Sequence, residues 1–169
     1  MRGRSFVVAA VVDIPAPGAE GVLFALGSRF GGHALYIKDD RLHYANNYVG
    51  ITTQTVVATE DVPTGENLIL SASFEKTGQE QLASTGTLTL FHGDEKVGEA
   101  EIKTQLGTFD LALPGLYVGR QEGEPITDDY PGESPHPFAG GTIQRIAIDV
   151  SGEPNEDLER EAERMLRRE

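Results

Sequence analysis

Two glutamates at alternate positions of one segment carry the first chemistry that the sequence offers. Glu99 and Glu101 stand two residues apart, and side chains two apart in a strand share one face. A glycosidase needs such a pair, because one carboxyl group protonates the leaving oxygen while the other attacks the sugar or activates water. A third acid is missing, and the neighbouring residues are small or polar. We therefore expect a solvated strand face here and no catalysis.

Other catalytic chemistries lack their residues. The chain has no cysteine, which excludes a thiol nucleophile and a thiolate zinc site. Its four histidines, His33, His43, His92 and His136, are scattered without a metal-ligand spacing such as His-x-x-x-His. The sequence has neither a Gly-x-Ser-x-Gly elbow nor a phosphate-binding loop, which mark hydrolase nucleophiles and nucleotide sites. The chain is predicted not to be an enzyme.

A pair of aspartates in a long loop is a candidate cation site. Asp128 and Asp129 lie in the Pro- and Gly-rich stretch 122–141, and Ca²⁺ takes oxygen ligands from such loops. The spacing is not that of an EF-hand. In the alternative, Asp128 caps a turn through its own backbone, while Tyr130 and Phe138 pin the loop to the rest of the protein. Calcium is therefore a candidate cofactor, with Asp128 and Asp129 as its ligands.

Sugar binding is the other chemistry that the residue types suggest. Aromatic faces stack on sugars, and amide or charged groups bind their hydroxyls. Such groups lie close together in one segment, and an arginine follows later in the chain. These candidate ligand-binding residues are Tyr36, Tyr44, Asn46, Asn47, Tyr48 and Arg120. The chain has no tryptophan, and alternating tyrosines also pack in cores, so a structural role for the tyrosines stays open.

The overall charge limits the partners. The chain of 169 residues has 14 basic and 27 acidic side chains, for a net charge of −13. Because binding phosphates requires a cationic surface, we expect neither a nucleic acid nor an anionic membrane as a partner. The apolar run 6–12 ends in an aspartate without a cleavage site and is predicted to be a strand and not a signal peptide. No stretch reaches the roughly 20 apolar residues of a membrane span, so we expect a soluble, cytoplasmic protein.

The elements that would position these residues are mostly strands. Short runs of alternating or continuous apolar residues are separated by Gly, Pro and Asp turns, and Asp39-Asp40 predicts a tight hairpin between 33–38 and 41–48. In the hairpin the apolar residues at period two are Leu35, Ile37, Leu42 and Tyr44. Strands are predicted at 6–12, 21–27, 33–38, 41–48, 67–74, 87–92, 96–103, 116–119 and 142–150. Eight or more such strands predict an all-β fold, an antiparallel sandwich or barrel.

The tail differs from the rest of the chain. From Glu153 onward Leu158, Ala162, Met165 and Leu166 recur at helical spacing, which predicts a short amphipathic helix. We therefore divide the chain into a domain of residues 1–152 and a helical tail, 153–169. A helix this short needs a partner surface, so it is expected to pack on the sandwich or to mediate self-association.

Several segments resemble a known domain. They are GSRFGGHALYIK at 27–38, LHY at 42–44, NYVG at 47–50, LFHGDEKVGE at 90–99, VGR at 118–120, TDDY at 127–130 and PFAGGTI at 137–143. Together they resemble the non-catalytic β-sandwich domain at the C-terminal end of bacterial arylsulfatases, a relative of the concanavalin A-like lectin/glucanase and laminin G-like jelly rolls.

This resemblance implies a function without catalysis. The arylsulfatase motif, Cys or Ser followed by x-Pro-x-Arg, is absent from the chain. The resemblance therefore implies a role in packing, assembly or positioning, with a sulfatase catalytic domain as partner. The alternative is a laminin G-like or lectin-like module that binds a glycan or a protein, with or without Ca²⁺.

Overall fold

This computed structural model describes residues 1, 3–80, 83–105 and 115–151. Ten β-strands lie within these ranges. They are β1 (Ser5–Ile14), β2 (Gly21–Ser28), β3 (Gly31–Lys38), β4 (Arg41–Tyr48), β5 (Thr52–Asp61), β6 (Gly65–Glu80), β7 (Ala83–His92), β8 (Glu95–Gln105), β9 (Leu116–Val118) and β10 (Thr142–Ser151). Sheet I has the order β10-β1-β6-β7-β8 and sheet II the order β5-β4-β3-β2-β9. Neighbouring strands pair antiparallel in both sheets. The predicted all-β antiparallel sandwich is confirmed.

Period-two alternation builds the core between the sheets. In β1 the residues Phe6, Val8 and Ala10 are buried, whereas the intervening Val7 is 38% exposed. Successive side chains of a strand point to opposite faces, so one apolar set from each strand meets the other sheet. The apolar residues expected to alternate in β3 and β4 face this core. They are Leu35, Ile37, Leu42 and Tyr44.

The predicted hairpin at Asp39-Asp40 is confirmed. Both residues have positive φ, 51° and 58°, as the two central residues of a type I′ turn require. Aspartate tolerates this left-handed region better than most residues do. The turn therefore forms between β3 and β4 without the usual glycine.

The edge strand β5 was not among the predicted strands. The alternation of apolar and polar residues is hard to see in its sequence, because threonines and acids surround a short apolar run. Within this run Val56 and Ala58 are buried in the core, whereas the intervening Val57 is also apolar but 40% exposed. Pairing with β4, continuous from Thr52 to Val57 and resumed at Asp61 after a shift in register, decides the strand. Pairing with β4 in the folded protein therefore outweighs the weak strand pattern in the sequence of β5.

A loop over residues 119–141 covers the outer face of sheet II. Ile126 and Tyr130 from this loop pack on Val22, Ala34 and Tyr36 in a second small core. Glu20 and Ala139 exchange two backbone hydrogen bonds, 3.0 and 2.7 Å long, which tie the loop to the start of β2. Because both faces of β2 are covered, its run Val22–Leu26 is apolar almost throughout, as a strand buried on both sides requires.

The loop approaches β2 most closely at a glycine. Gly21 has φ +111°, and a Cβ there would lie 2.2 Å from the carbonyl oxygen of Pro137. Only glycine fits this contact, so this residue allows the loop to lie directly on the sheet.

The predicted tail helix and the boundary at residue 152 lie outside the described residues. Within the described ranges, no helix is both long and apolar enough to cross a bilayer.

Candidate functional site

Five polar residues meet where the covering loop leaves sheet II open. Tyr36 and Lys38 project from β3, His43 from β4 and Thr55 from β5, while Asp129 comes from the loop. We call this group the Asp129 cluster. His43 faces the same side as Tyr36, because the two are directly opposite each other in the β3–β4 pairing. Three neighbouring strands and one loop therefore supply a single polar site.

The carboxylate of Asp129 lies at the centre of the cluster. The Tyr36 hydroxyl donates to Oδ2 at 2.7 Å, and Lys38 Nζ donates to Oδ1 at 2.5 Å. Nδ1 of His43 lies 3.6 Å from Oδ2, and the Thr55 hydroxyl bonds to that of Tyr36. The side chains of Lys38 and Asp129 keep 30% and 38% of their surface exposed. The cluster is thus fixed by internal contacts yet open to solvent on one side.

The loop holds Asp129 through contacts on either side of it. Its backbone N–H donates to the Thr127 hydroxyl at 3.1 Å. The ring of the next residue, Tyr130, stands edge-on to Tyr36 with centroids 5.1 Å apart, a favourable aromatic geometry. The carboxylate therefore takes its position from buried neighbours.

A buried glutamine organises this part of the loop. The side chain of Gln121 is 1% exposed and donates from Nε2 to the carbonyls of Glu124, at 3.0 Å, and Gly27, at 3.4 Å. Its Oε1 accepts from the hydroxyl of Tyr130 at 2.5 Å and from the N–H of Ile126 at 3.3 Å. One amide thus satisfies groups from three places in the loop and one in β2.

The protonation states follow from burial and hydrogen bonding. Burial alone would raise the pKa of Asp129, but the hydrogen bonds from Lys38 and Tyr36 outweigh it and hold the pKa below its usual value. Burial lowers the pKa of His43, although the nearby carboxylate opposes this. Burial also raises the pKa of Tyr36, and the bond to Asp129 adds to it. At neutral pH the site therefore holds a carboxylate, an ammonium, a neutral imidazole and two hydroxyls.

The lowered pKa of His43 predicts a pH-dependent stability. An unfolded histidine has a pKa of about 6.5, so the unfolded chain takes up a proton before the folded chain does as pH falls. The free energy of unfolding should therefore be greatest above about pH 7 and fall as pH drops through 6.5. Asp129 should add a further loss below about pH 4, because its folded pKa is also depressed.

Urea unfolding between pH 5 and 8 measures this effect. Burial also lowers the pKa of His92, so His43→Gln should reduce the slope in this range and His43→Gln with His92→Gln should reduce it further. An unchanged slope in the double variant would contradict the assignment.

The residues predicted to bind ligand do not form one exposed surface. Tyr44 is fully buried, and its hydroxyl lies 2.7 Å from Nδ1 of His33. Asn46 is 1% exposed and donates to the carbonyl of Lys103 at 2.8 Å. Both face the interior, because β4 alternates its sides. In this structure neither side chain presents a surface to a ligand.

The remaining members of that set lie at separate places. Tyr36 joins the Asp129 cluster through its hydroxyl, although its side chain is fully buried. Asn47 holds the loop by donating to the Ile126 carbonyl at 2.9 Å. Tyr48 is half-buried at the end of β4. Arg120 is exposed and pairs with Glu122 at 2.8 Å. Of the six, the structure brings only Tyr36 into the polar cluster.

The two aspartates considered for calcium point to different surroundings. Asp128 is exposed, whereas both oxygens of Asp129 accept hydrogen bonds. Among the described residues no three or more His, Cys, Asp or Glu side chains are grouped so that they could hold a metal ion. The cation next to Asp129 is Lys38.

The glutamate pair on β8 lies on the outer face of sheet I. Glu99 and Glu101 are exposed, and each accepts a hydrogen bond from a threonine of β7, Thr89 or Thr87. This is the solvated face expected from the sequence.

Sequence reasoning missed Lys38, His43 and Thr55 as site residues. Lys38 and His43 flank the predicted hairpin on either side of its turn, so their closeness to each other was available from the sequence. Their closeness to Asp129 was not, because Lys38 and Asp129 are 91 positions apart.

Comparison with known proteins shows the fold alone. No protein-family model and no curated protein matches the chain. Among solved structures, the heptameric SAP-like pentraxin of Limulus polyphemus aligns with 86% of this chain at 11% identity and a TM-score of 0.50. The CBM40 of the Ruminococcus gnavus IT-sialidase, solved with bound α2,3-sialyllactose, aligns with 88% at 15% identity and a TM-score of 0.52.

The chain spans 63% of the length of the pentraxin and 78% of that of the CBM40. Both neighbours are concanavalin A-like jelly rolls, so the predicted jelly-roll sandwich is confirmed. Neither of them is an arylsulfatase.

Proposed function

We propose that this chain is a lectin-like glycan-binding module, without catalysis of its own, and that the Asp129 cluster with the adjoining face of β5 binds the sugar. The observation that carries the proposal is the Asp129 carboxylate, which is held by Tyr36 and Lys38 on a side chain that remains 38% exposed. Preorganised polar groups beside an open surface are what a small hydroxyl-rich ligand requires.

The chemistry of the neighbouring strand supports this function. Thr53, Thr55 and Val57 are exposed on the outer face of β5, in line with the cluster. Sugar hydroxyls both donate and accept hydrogen bonds, so a carboxylate, an ammonium and threonine hydroxyls all suit them. Val57 offers an apolar contact for the C–H face of a sugar ring. The likeness of the fold to a CBM40 that binds sialyllactose agrees with a glycan ligand.

The arylsulfatase-associated role stays a prediction that rests on the sequence resemblance. So does the Ca²⁺ dependence of a lectin-like module. A partner catalytic domain would be compatible with glycan binding, since a linked sugar-binding surface raises the effective concentration of the substrate at the enzyme.

Replacing Asp129 by asparagine tests the proposed surface. A glycan array first identifies a ligand, and calorimetry then measures its affinity with and without added Ca²⁺. We expect Asp129→Asn to weaken binding about tenfold or more, the value of one hydrogen bond to a charged group. Asp128→Asn, which removes the adjacent exposed carboxylate, is the matched control and should change the affinity less than about twofold.

A second variant separates binding from folding. Val57→Glu alters an exposed position of β5 beside the cluster and should block the surface without breaking the contacts of Asp129. Thermal unfolding of each variant shows whether the fold is retained. An array without any bound glycan, or equal losses for Asp129→Asn and Asp128→Asn, would refute the proposal.

A further inference from the structure

The two sides of the sandwich are closed differently. On one side the amide of Gln54 in β5 bonds to both backbone groups of Lys103 in β8, at 2.7 and 2.8 Å. The hydroxyl of Thr59 donates to the carbonyl of Val97 at 3.0 Å. Side chains thus join the sheets where no strand pairing does. On the opposite side the edge strands are β9 and β10.

Apolar side chains are exposed at that second side. Leu116 and Val118 of β9 are 49% and 45% exposed, and Ile148 of β10 is 37% exposed. These are inward-facing positions, because Val118 is paired with Phe24 and Ile148 with Val8, both in the core. We call Leu116, Val118 and Ile148, together with the half-buried Ile146 of β10, the open edge.

The open edge arises from unequal strand lengths. The strand β9 has three residues against ten in β10. Where the two edges come together, Ile143 Cδ1 lies 3.5 Å from the position of a Cβ on Gly119. The pairing of β9 with β2 covers only Leu116–Val118, and Ile148 further along β10 stays 37% exposed. Apolar groups left open in this way favour a covering partner.

We propose that the C-terminal segment 152–169 of the same chain covers the open edge, lying antiparallel to β10. The segment begins directly after Ser151, the last residue of that strand. Its sequence carries Leu158, Ala162, Met165 and Leu166 on one helical stripe. An apolar stripe and an apolar edge that are adjacent in the chain can cover each other at little entropic cost.

The dimensions agree with this placement. A helix from residue 155 to 169 would be about 22 Å long, and the run from Ile143 to Val150 in β10 extends about 23 Å. The helix would rise about 1.5 Å per residue and the strand about 3.3 Å. If residue 155 lies beside Ser151, residue 162 therefore falls beside Ile148. Leu166 falls beside Ile146 in the same way.

The charges favour the antiparallel direction. The segment has its acids mainly in the first turns, and Arg164, Arg167 and Arg168 lie in the last. Antiparallel docking brings the acidic start near Arg4, which precedes β1, and the basic end toward Asp13. The parallel direction would reverse both pairings. Charge complementarity of this kind selects orientation more than it adds affinity.

Engineered cysteines test the docking in the full chain, which has no cysteine of its own. Ile148→Cys with Ala162→Cys should form an intramolecular disulfide under dilute oxidising conditions, detected by non-reducing gel and peptide mass mapping. Asp149→Cys with Ala162→Cys is the matched control, since Asp149 is paired with Val7 on the outer face. The first pair should cross-link about tenfold faster or more. Equal rates, or covalent dimers as the main product of the first pair, would overturn the proposal.

Thiol labelling gives an independent measurement. A single cysteine at Ile148→Cys should react several-fold faster with a maleimide when Leu158→Glu and Leu166→Glu are also present. The control carries Glu159→Gln and Arg160→Gln, which leave the apolar stripe intact. Unchanged labelling after loss of the stripe would show that other residues cover the edge, and the proposal would then be wrong.

Discussion

Replacing Phe6 by alanine is expected to lower the free energy of unfolding by about 3–5 kcal/mol, as is typical of a buried phenylalanine. Phe6 is 1% exposed and joins the two sheets of the sandwich. Within sheet I its ring stacks on Phe74 with centroids 5.4 Å apart. Across the core it meets the edge of His33 at 5.5 Å and the ring of Tyr44 at 6.3 Å.

The loss should be large because the site cannot easily collapse. Phe6 is paired with Phe74 and Val150 on its two sides, so the backbone around it is held by strands on either flank. The surrounding rings would face a cavity that they cannot fill, and both transfer and cavity terms would add.

Chemical denaturation measures the effect, and the next residue provides the control. Val7 lies on the outer face of the same strand and is 38% exposed, so Val7→Ala should cost less than about 1 kcal/mol. Losses of similar size for Phe6→Ala and Val7→Ala would contradict the placement of Phe6 between the sheets.

Replacing Gln121 by leucine is expected to lower the free energy of unfolding by about 3 kcal/mol and to loosen the covering loop. Leucine has a similar volume but cannot form the four hydrogen bonds of the buried amide. Each buried group left unpaired costs about 1–3 kcal/mol, and relaxation of the loop should recover part of the sum.

The same change should weaken the proposed glycan binding. The loop carries Asp129, and Tyr130 next to it donates to Gln121. Once Gln121 is lost, the amides of the loop near Ile126 should exchange their hydrogens faster, while those of β6 and β7 should keep their protection. Hydrogen exchange with mass spectrometry can observe both regions in one experiment.

The neighbouring residue separates this effect from a general sensitivity of the loop. Glu122 is exposed and pairs only at the surface with Arg120, so Glu122→Ala should change stability by less than about 0.5 kcal/mol. If Gln121→Leu left the exchange of the loop unchanged, the buried network would not be what holds the loop.

Much of the fold was predictable because its signals are local. The alternation of Leu35, Ile37, Leu42 and Tyr44 and the intervening aspartate turn predicted the β3–β4 hairpin correctly. The prediction failed for β5, where threonine and acidic residues dilute the apolar pattern. That strand exists because β4 offers backbone partners to the run Thr52–Val57 and again to Asp61.

The site was much less predictable. Tyr44 and Asn46 share a segment with Tyr36 and Asn47, yet the two pairs face opposite sides of sheet II. The residue types alone could not show which pair faces the interior. Buried polar groups need hydrogen-bond partners, and the partners of Tyr44 and Asn46, which are His33 and the Lys103 carbonyl, are known only from the tertiary structure. Gln121 gave no signal at all, since nothing in its sequence neighbourhood marks a buried amide.

The sequence by itself determined most of the strands and turns and the antiparallel all-β class of this protein, because the period of side chains along a strand and the backbone preferences of turn residues are properties of a few adjacent positions. The jelly-roll class was implied by the resemblance to a known domain. Only the tertiary structure decided which side chains meet. Tyr36 and Lys38 bind a carboxylate 93 and 91 positions away, and that contact exists because a long loop folds back over the outer face of sheet II. No local pattern encodes such a distance, so the candidate site became visible only once the loop was in place.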